Sequence, residues 1–367
     1  MKPTLLLFVL LTTFFNAYTQ HLKWHNPEQE GYPVVEGRGW QTGLADFYDR
    51  LPAKAKATVR KEVWSLAKNS AGNYIKFRSN ANTIMVRFQV TNGWAMNHMP
   101  ATGVSGVDLY AKDINGHWHW AAGNFNFDDT ITYRFSNIVT NVPLQEFRLY
   151  LPLYNSLKWL QVGVADKNSF SFIEANTKAP VVLYGTSIMQ GACASRPGLA
   201  WTNILGRRLD APLVNLGFSG NGRLEPELAH LLTELDARLF VLDCQPNLYD
   251  KKIYTEAEID KRIRNTIAAL RTKHPVTPIL LVEHCCGNSD VSMDTLLSNN
   301  YKWTSDVLSR VFYALKKEGH KNIYQLTAKE IGFDEEDTVD GTHPNDIGMA
   351  KYADAYEKKI RSILKKS

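Results

Sequence analysis

From Pro180 to the C-terminus, short apolar runs alternate with stretches whose apolar positions recur every three or four residues. Val181–Tyr184, Leu213–Leu216, Leu239–Asp243, Ile279–Glu283 and Ile323–Leu326 are near-continuous hydrophobic segments, the pattern of strands buried on both faces of a parallel sheet. Between and after them, Ala200–Leu209, Pro226–Asp236, Thr255–Lys273, Lys302–Glu318 and Asp346–Leu364 carry the helical period. This alternation predicts an open, doubly wound α/β domain over residues 178–367, with its chemistry at the carboxyl ends of the strands.

Residues 80–165 follow a different grammar. In Thr83–Val90, Ile84, Val86, Phe88 and Val90 alternate with Met85, Arg87 and Gln89, a period of two. Val107–Ala111, His117–Ala121, Thr130–Phe135, Glu146–Leu151 and Trp159–Val164 come after it at short intervals, separated by Gly, Asn, Asp and Pro. Closely spaced strands without helices predict an antiparallel β-sandwich or jelly roll, here assigned to residues 21–175. Leu51–Lys68 is the helical exception and reads as a surface helix beside it.

The first twenty residues belong to neither domain. Lys2, the apolar run Leu5–Leu11 and a polar exit near Gln20 form the pattern of a secretory signal peptide, predicting a secreted or periplasmic protein. The run is too short for a bilayer span, which needs about 20 apolar residues, and no later segment qualifies. An integral membrane protein is therefore not expected. The net charge of +5 comes from basic residues interspersed with acids, so a nucleic-acid partner is not expected either. An apolar content of 44% fits a globular chain. In an oxidising compartment Cys193, Cys244, Cys285 and Cys286 allow at most one or two disulfides, with no pairing assigned.

The residues just beyond each predicted strand narrow the chemistry. The first strand runs into Gly185-Thr186-Ser187, the second into Asn215-Leu216-Gly217-Phe218-Ser219-Gly220, and the third into Gln245-Pro246-Asn247; Asp340-Gly341-Thr342-His343 lies beyond the fifth. Acyl transfer needs such a set. A serine hydroxyl requires a base to take its proton, and an imidazole, with an ordinary pKa of about 6.5, titrates in the right range. The imidazolium needs a carboxylate, which Asp340 offers three residues before His343. A tetrahedral oxyanion needs fixed donors, available from the Ser187 and Gly220 amides and the Asn247 side chain.

These blocks, in this order, resemble those of the SGNH, or GDSL-type, esterase/lipase superfamily. Gly106-Val107-Asp108-Leu109-Tyr110 resembles the GxDLY signature of a β-domain that precedes such esterases in some secreted bacterial proteins. The resemblance implies a flavodoxin-like esterase domain with Ser187 as nucleophile, His343 as base, Asp340 as its partner, and Ser187, Gly220 and Asn247 around the oxyanion. Two blocks depart from the pattern: Gly-Asp-Ser is Gly185-Thr186-Ser187, and Gly-x-Asn-Asp is Gln245-Pro246-Asn247-Leu248. With Met at residue 189 there is no G-x-S-x-G elbow, which disfavours a typical α/β-hydrolase.

Other residues have two readings. Arg196 could bind a polar substrate or hold its loop, the loop being preferred. Glu283 and His284 could line the pocket or close a strand. In His117-Trp118-His119-Trp120 the two His share one strand face and the two Trp the other. A metal there lacks a third ligand, so neither metal nor other cofactor is expected, and the Trp face is expected to pack into the sandwich. The resulting expectation is a metal-independent serine esterase acting on short-chain, acetyl-type esters of small molecules or polysaccharides. The alternatives are a lipase for longer chains and an inactive, carbohydrate-binding relative.

Overall fold

The computed structural model describes residues 21–139, 142–285 and 293–365. The signal segment read at residues 1–20 lies outside them, as does Cys286. In the C-terminal part, strands Val181–Gly185, Leu213–Gly217, Leu239–Asp243, Ile279–Val282 and Ile323–Leu326 form one parallel sheet, ordered second, first, third, fourth, fifth. Because strand side chains alternate between faces, the first strand contributes Val182 and Tyr184 to one core and Val181 and Leu183 to the other. Helices Pro226–Leu232, Glu256–Lys273 and Thr295–Lys317 cover the first face; Trp201–Leu209 and Asp346–Leu364 cover the second. This is the doubly wound, flavodoxin-like domain expected from the pattern. Helix Thr295–Lys317 begins well before Lys302 because the Asp294 carboxylate accepts from the Leu297 amide and caps it.

The N-terminal part is a sandwich of two antiparallel sheets. One runs Leu22–His25, Leu157–Ala165, Ile84–Val90, Ile131–Phe135, Gly123–Asn126. The other runs Phe170–Phe172, Tyr74–Ser79, Gln145–Tyr150, Asp108–Lys112, Trp118–Ala121, with Val35–Glu36 also paired to Tyr74–Ser79. Ile84, Val86 and Phe88 meet Phe77, Phe147 and Leu149 between them. Three strands were not legible: Tyr74–Ser79 is interrupted by Lys76 and Arg78, Gly123–Asn126 is mostly Gly and Asn, and Phe170–Phe172 is only three residues long.

Three expectations are corrected. First, the segment read as a surface helix over Leu51–Lys68 is a 3₁₀ turn, Ala53–Ala57, followed by helix Lys61–Ala67. Its Leu51, Ala55, Val63 and Ala67 lie in one core with Leu216, Phe218 and Leu228. It packs on the parallel-sheet domain, and its apolar stripe is explained by that partner.

Second, the Trp118 and Trp120 face turns away from the sandwich core. Arg148 stacks 4.4 Å over Trp118 and Arg196 4.2 Å over Trp120. Asp108, from the GxDLY segment, accepts from Trp120 Nε1, Arg196 Nη1 and the Gly198 amide at 3.0, 2.8 and 2.7 Å. A side chain at residue 198 would collide with Tyr110 and Asp108, so glycine there permits the close approach. Burial raises the Asp108 carboxyl, and Arg196 opposes that shift. The GxDLY segment is thus an interdomain tie.

Third, Cys193 and Cys244 are buried thiols in no disulfide. They belong to cores on opposite faces of the parallel sheet, while Cys285 Sγ lies 3.1 Å from Tyr352 Oη. A two-disulfide pattern is excluded.

Candidate active site

The parallel register aligns Gly185 with Gly217 on one side and with Asp243 on the other, so the segments beyond them leave the sheet at one level. Ser187 opens a short helix, Ser187–Gln190, directly after the first strand and is 5% exposed. Its Oγ lies 2.8 Å from His343 Nε2, and His343 Nδ1 lies 2.7 Å from Asp340 Oδ2. The turn that carries the pair is pinned locally. The other Asp340 oxygen accepts from the His343 and Thr342 amides at 2.8 and 3.0 Å, and Val339 N donates to His343 O. Burial pushes the Asp340 carboxyl up, but the His343 hydrogen bonds outweigh it and hold the group well below the usual carboxylate range. An ionised Asp340 fixes the proton on Nδ1 and leaves Nε2 as acceptor for the Ser187 hydroxyl.

The donors named from sequence lie on the segments that follow the first three strands. Phe218–Asn221 is a turn closed by Asn221 N on Phe218 O at 2.8 Å. Gly220 has φ +68° there, while a Cβ would meet nothing within 4 Å, so conformation and not space selects glycine. Asn247 Oδ1 accepts from the Gly222 amide at 3.0 Å, which turns its Nδ2 donors the other way. Gly222 in turn approaches the Gly185 carbonyl and the Thr186 amide. Among the described residues, neither the Ser187 nor the Gly220 amide donates to another group. The Ser187 and Gly220 amides and the Asn247 Nδ2 hydrogens thus have no acceptor among the described residues.

Several supporting residues were not read from the sequence. Fully buried Gln190 donates to Asn69 Oδ1 and Leu153 O and accepts from Ser219 N, joining the Ser187 helix, the sandwich side and the Gly220 turn. Tyr154 Oη donates to Ser187 O at 3.2 Å, and Asn215 Nδ2 donates to Met189 O at 2.8 Å. His98, from the sandwich, stands with its ring centroid 6.0 Å from that of His343. None of these has a local signal, because each acts across a long sequence separation.

The residues with two readings separate cleanly. Arg196 is engaged by Asp108, Tyr110 and Trp120 at the domain interface and is not free to bind a substrate, so its substrate-binding assignment is replaced by the loop role. Glu283 accepts from Ser309 Oγ, Gln325 Nε2 and the Ala328 amide and closes its strand. His284 is fully buried with its ring against Tyr301, and burial, then nearby His343, push its pKa down to about 3, keeping it neutral.

A Ser–His–Asp relay at the carboxyl rim of a flavodoxin-like sheet, with backbone and carboxamide donors on the segments that follow its strands, is a serine-hydrolase arrangement on an SGNH-type fold. Comparison with known proteins agrees with this class. The chain matches the GDSL-like lipase/acylhydrolase family over residues 178–361 and the N-terminal domain of SGNH hydrolase-type esterases, GxDLY, over residues 22–170, and it belongs to that family. A GDSL-like lipase from Bacteroides ovatus is 32% identical, with a TM-score of 0.83 over 94% of this chain and 98% of its own. The salicylyl-acyltransferase SsfX3 of a tetracycline biosynthetic pathway shares the fold at 17% identity and TM-score 0.71, over 93% and 97% of the two chains. An acetyl xylan esterase from the rumen bacterium Butyrivibrio proteoclasticus shares it at 12% identity and TM-score 0.52, over 94% and 98%. No curated protein matches the chain.

Proposed function

We propose that this protein is an exported serine esterase that removes short acyl groups, acetyl foremost, from carbohydrate esters. The observation that carries the reading is the continuous relay from Ser187 Oγ through His343 to Asp340. In the first half-reaction Ser187 Oγ bonds to the ester carbonyl carbon while His343 Nε2 takes its proton, and the oxyanion rests on the Ser187 and Gly220 amides and the Asn247 amide group. Collapse breaks the bond to the leaving oxygen, which takes the proton from His343. Water, deprotonated by the same imidazole, then releases the acid from the acyl-enzyme. No step calls on a metal or cofactor. The carbohydrate leaving group draws support from export and from the shared fold of an acetyl xylan esterase.

The test is hydrolysis of p-nitrophenyl acetate, butyrate and octanoate, and acetate release from acetylated xylo-oligosaccharides. Ser187→Ala is expected to lower kcat by at least about 10³-fold on every substrate the wild type cleaves. Retained activity in that variant removes Ser187 from the mechanism. A preference for octanoate replaces the short-chain reading with a lipase. Export predicts a mature N-terminus close to residue 21 in the extracytoplasmic fraction; a full-length chain confined to the cytoplasm overturns it.

A further inference from the structure

The imidazole that protonates the leaving oxygen lies on the leaving-group side of a serine-hydrolase site, so whatever surface borders His343 receives the leaving group. Here that surface comes from the sandwich. Met96 and Met99 exchange two backbone hydrogen bonds at 3.0 and 3.1 Å, closing a tight turn with Asn97 and His98 at its tip, and His98 stands beside His343. The loop is built rather than loose. Buried Asn155 donates to the carbonyls of Asn92 and Gly93 and accepts from the Asn92 amide, Ser105 Oγ donates to Trp94 O, and Met99 is buried in one core with Ile188 and Met189.

The same loop carries Trp94, 41% exposed and 6.1 Å from the Phe127 ring, which in turn packs edge-on against Phe125, 52% exposed. Two large rings, Trp94 on this loop and Phe125 on strand Gly123–Asn126, thus stand open to solvent on either side of Phe127. Asn97, also exposed, lies at the tip of the same loop beside His98. We propose that this sandwich face is the leaving-group subsite, with Trp94 and Phe125 stacking on a pyranose ring of the ester's sugar and His98 at the junction with the scissile bond. The inference rests on the carbohydrate-ester reading above. An amphipathic sugar suits the platform: its C–H faces cover the rings while its hydroxyls reach uncharged donors and acceptors. A long acyl chain would instead need an enclosed apolar channel. Because the loop is already ordered, little entropy is lost on binding.

The test compares Trp94→Ala and Phe125→Ala with wild type on an acetylated xylo-oligosaccharide and on p-nitrophenyl acetate, whose leaving group is a single aryl ring. The ratio of the two kcat/KM values is expected to fall by at least about tenfold in each variant, mainly through KM for the oligosaccharide, and Trp94→Tyr to recover most of it. Far-UV circular dichroism and urea unfolding of the same samples report on folding. A ratio unchanged from a wild type that cleaves the oligosaccharide overturns the subsite and leaves the carbohydrate-ester reading standing. Titration of Ser187→Ala with the same oligosaccharide, monitored by fluorescence, separates the remaining cases. Trp94-dependent binding without wild-type turnover supports the subsite and sinks the ester reading; neither binding nor turnover overturns both.

Discussion

Asp340→Asn lowers kcat for ester hydrolysis by about 10³–10⁴-fold while the protein still folds. The two effects separate because the carboxylate has two jobs on two oxygens. Oδ1 accepts from the backbone amides of Thr342 and His343 and shapes the turn; Oδ2 accepts from His343 Nδ1. An asparagine keeps its carbonyl oxygen on the two amides and presents an NH₂ to the ring. His343 then carries its proton on Nε2 and cannot take one from Ser187. The pH dependence comes from the same bonds. A carboxyl held below its ordinary range contributes stability above its unfolded pKa, about 3.9, and loses it only as pH falls through the depressed folded value. Asp340 therefore stays ionised across the neutral range, and its own titration falls well below it. The kcat of Asp340→Asn beside its urea unfolding curve checks both halves. More than about a tenth of wild-type activity in a folded variant would remove Asp340 from the relay.

The relay and its donors were legible because each member is local to a strand end. Once five apolar runs assign the parallel sheet, Ser187, Gly220, Asn247 and the Asp340–His343 pair fall at one rim by counting residues. What the chain does not write locally is the partner of a buried face. The stripe through Leu51, Ala55, Val63 and Ala67 announces burial but not that its cover is Leu216 and Leu228, far along the chain. Likewise, the alternation at Trp118 and Trp120 separates two faces without saying which one meets the sandwich core. Arg196 had two readings for the same reason, since its counter-charge Asp108 lies 88 residues upstream. His98 carried no signal at all: a polar residue in a loop becomes part of a site only when another domain sets His343 beside it.

Arg50 is the extreme case, and its replacement carries the largest expected loss of stability. It is fully buried, yet the groups around its guanidinium are carbonyls, not carboxylates. Nε donates to Asn69 O at 2.8 Å, Nη2 to Leu66 O at 2.7 Å, and Nη1 to Asn215 O and Gly217 O at 3.2 and 2.8 Å, over the face of Phe218. Burial pulls its pKa down to about 9, which still leaves it charged at neutral pH. Strand Leu213–Gly217 is the edge of the parallel sheet, and its outer side would otherwise present unpaired backbone groups. Gly37 O accepts from Asn215 N, and Arg50 answers the two outward carbonyls, so these residues stand where a sixth strand would be. Arg50→Ala removes a donor from four carbonyls, those of Asn69, Asn215 and Gly217 in buried contacts, and leaves a cavity, for an expected loss of about 4 kcal/mol. Arg50→Met refills much of the volume but restores no donor, so it should recover less than half of that loss. Because Gly217 leads directly into the Gly220 turn, either change should also lower kcat by about tenfold with little effect on KM, as a misplaced oxyanion donor does. Urea unfolding of both variants measures the first effect and p-nitrophenyl acetate kinetics the second. A loss below about 1 kcal/mol for Arg50→Ala would mean that water serves the edge carbonyls as well as the guanidinium does. In that outcome the edge strand needs no cation, and Arg50 is only a spacer between the two domains.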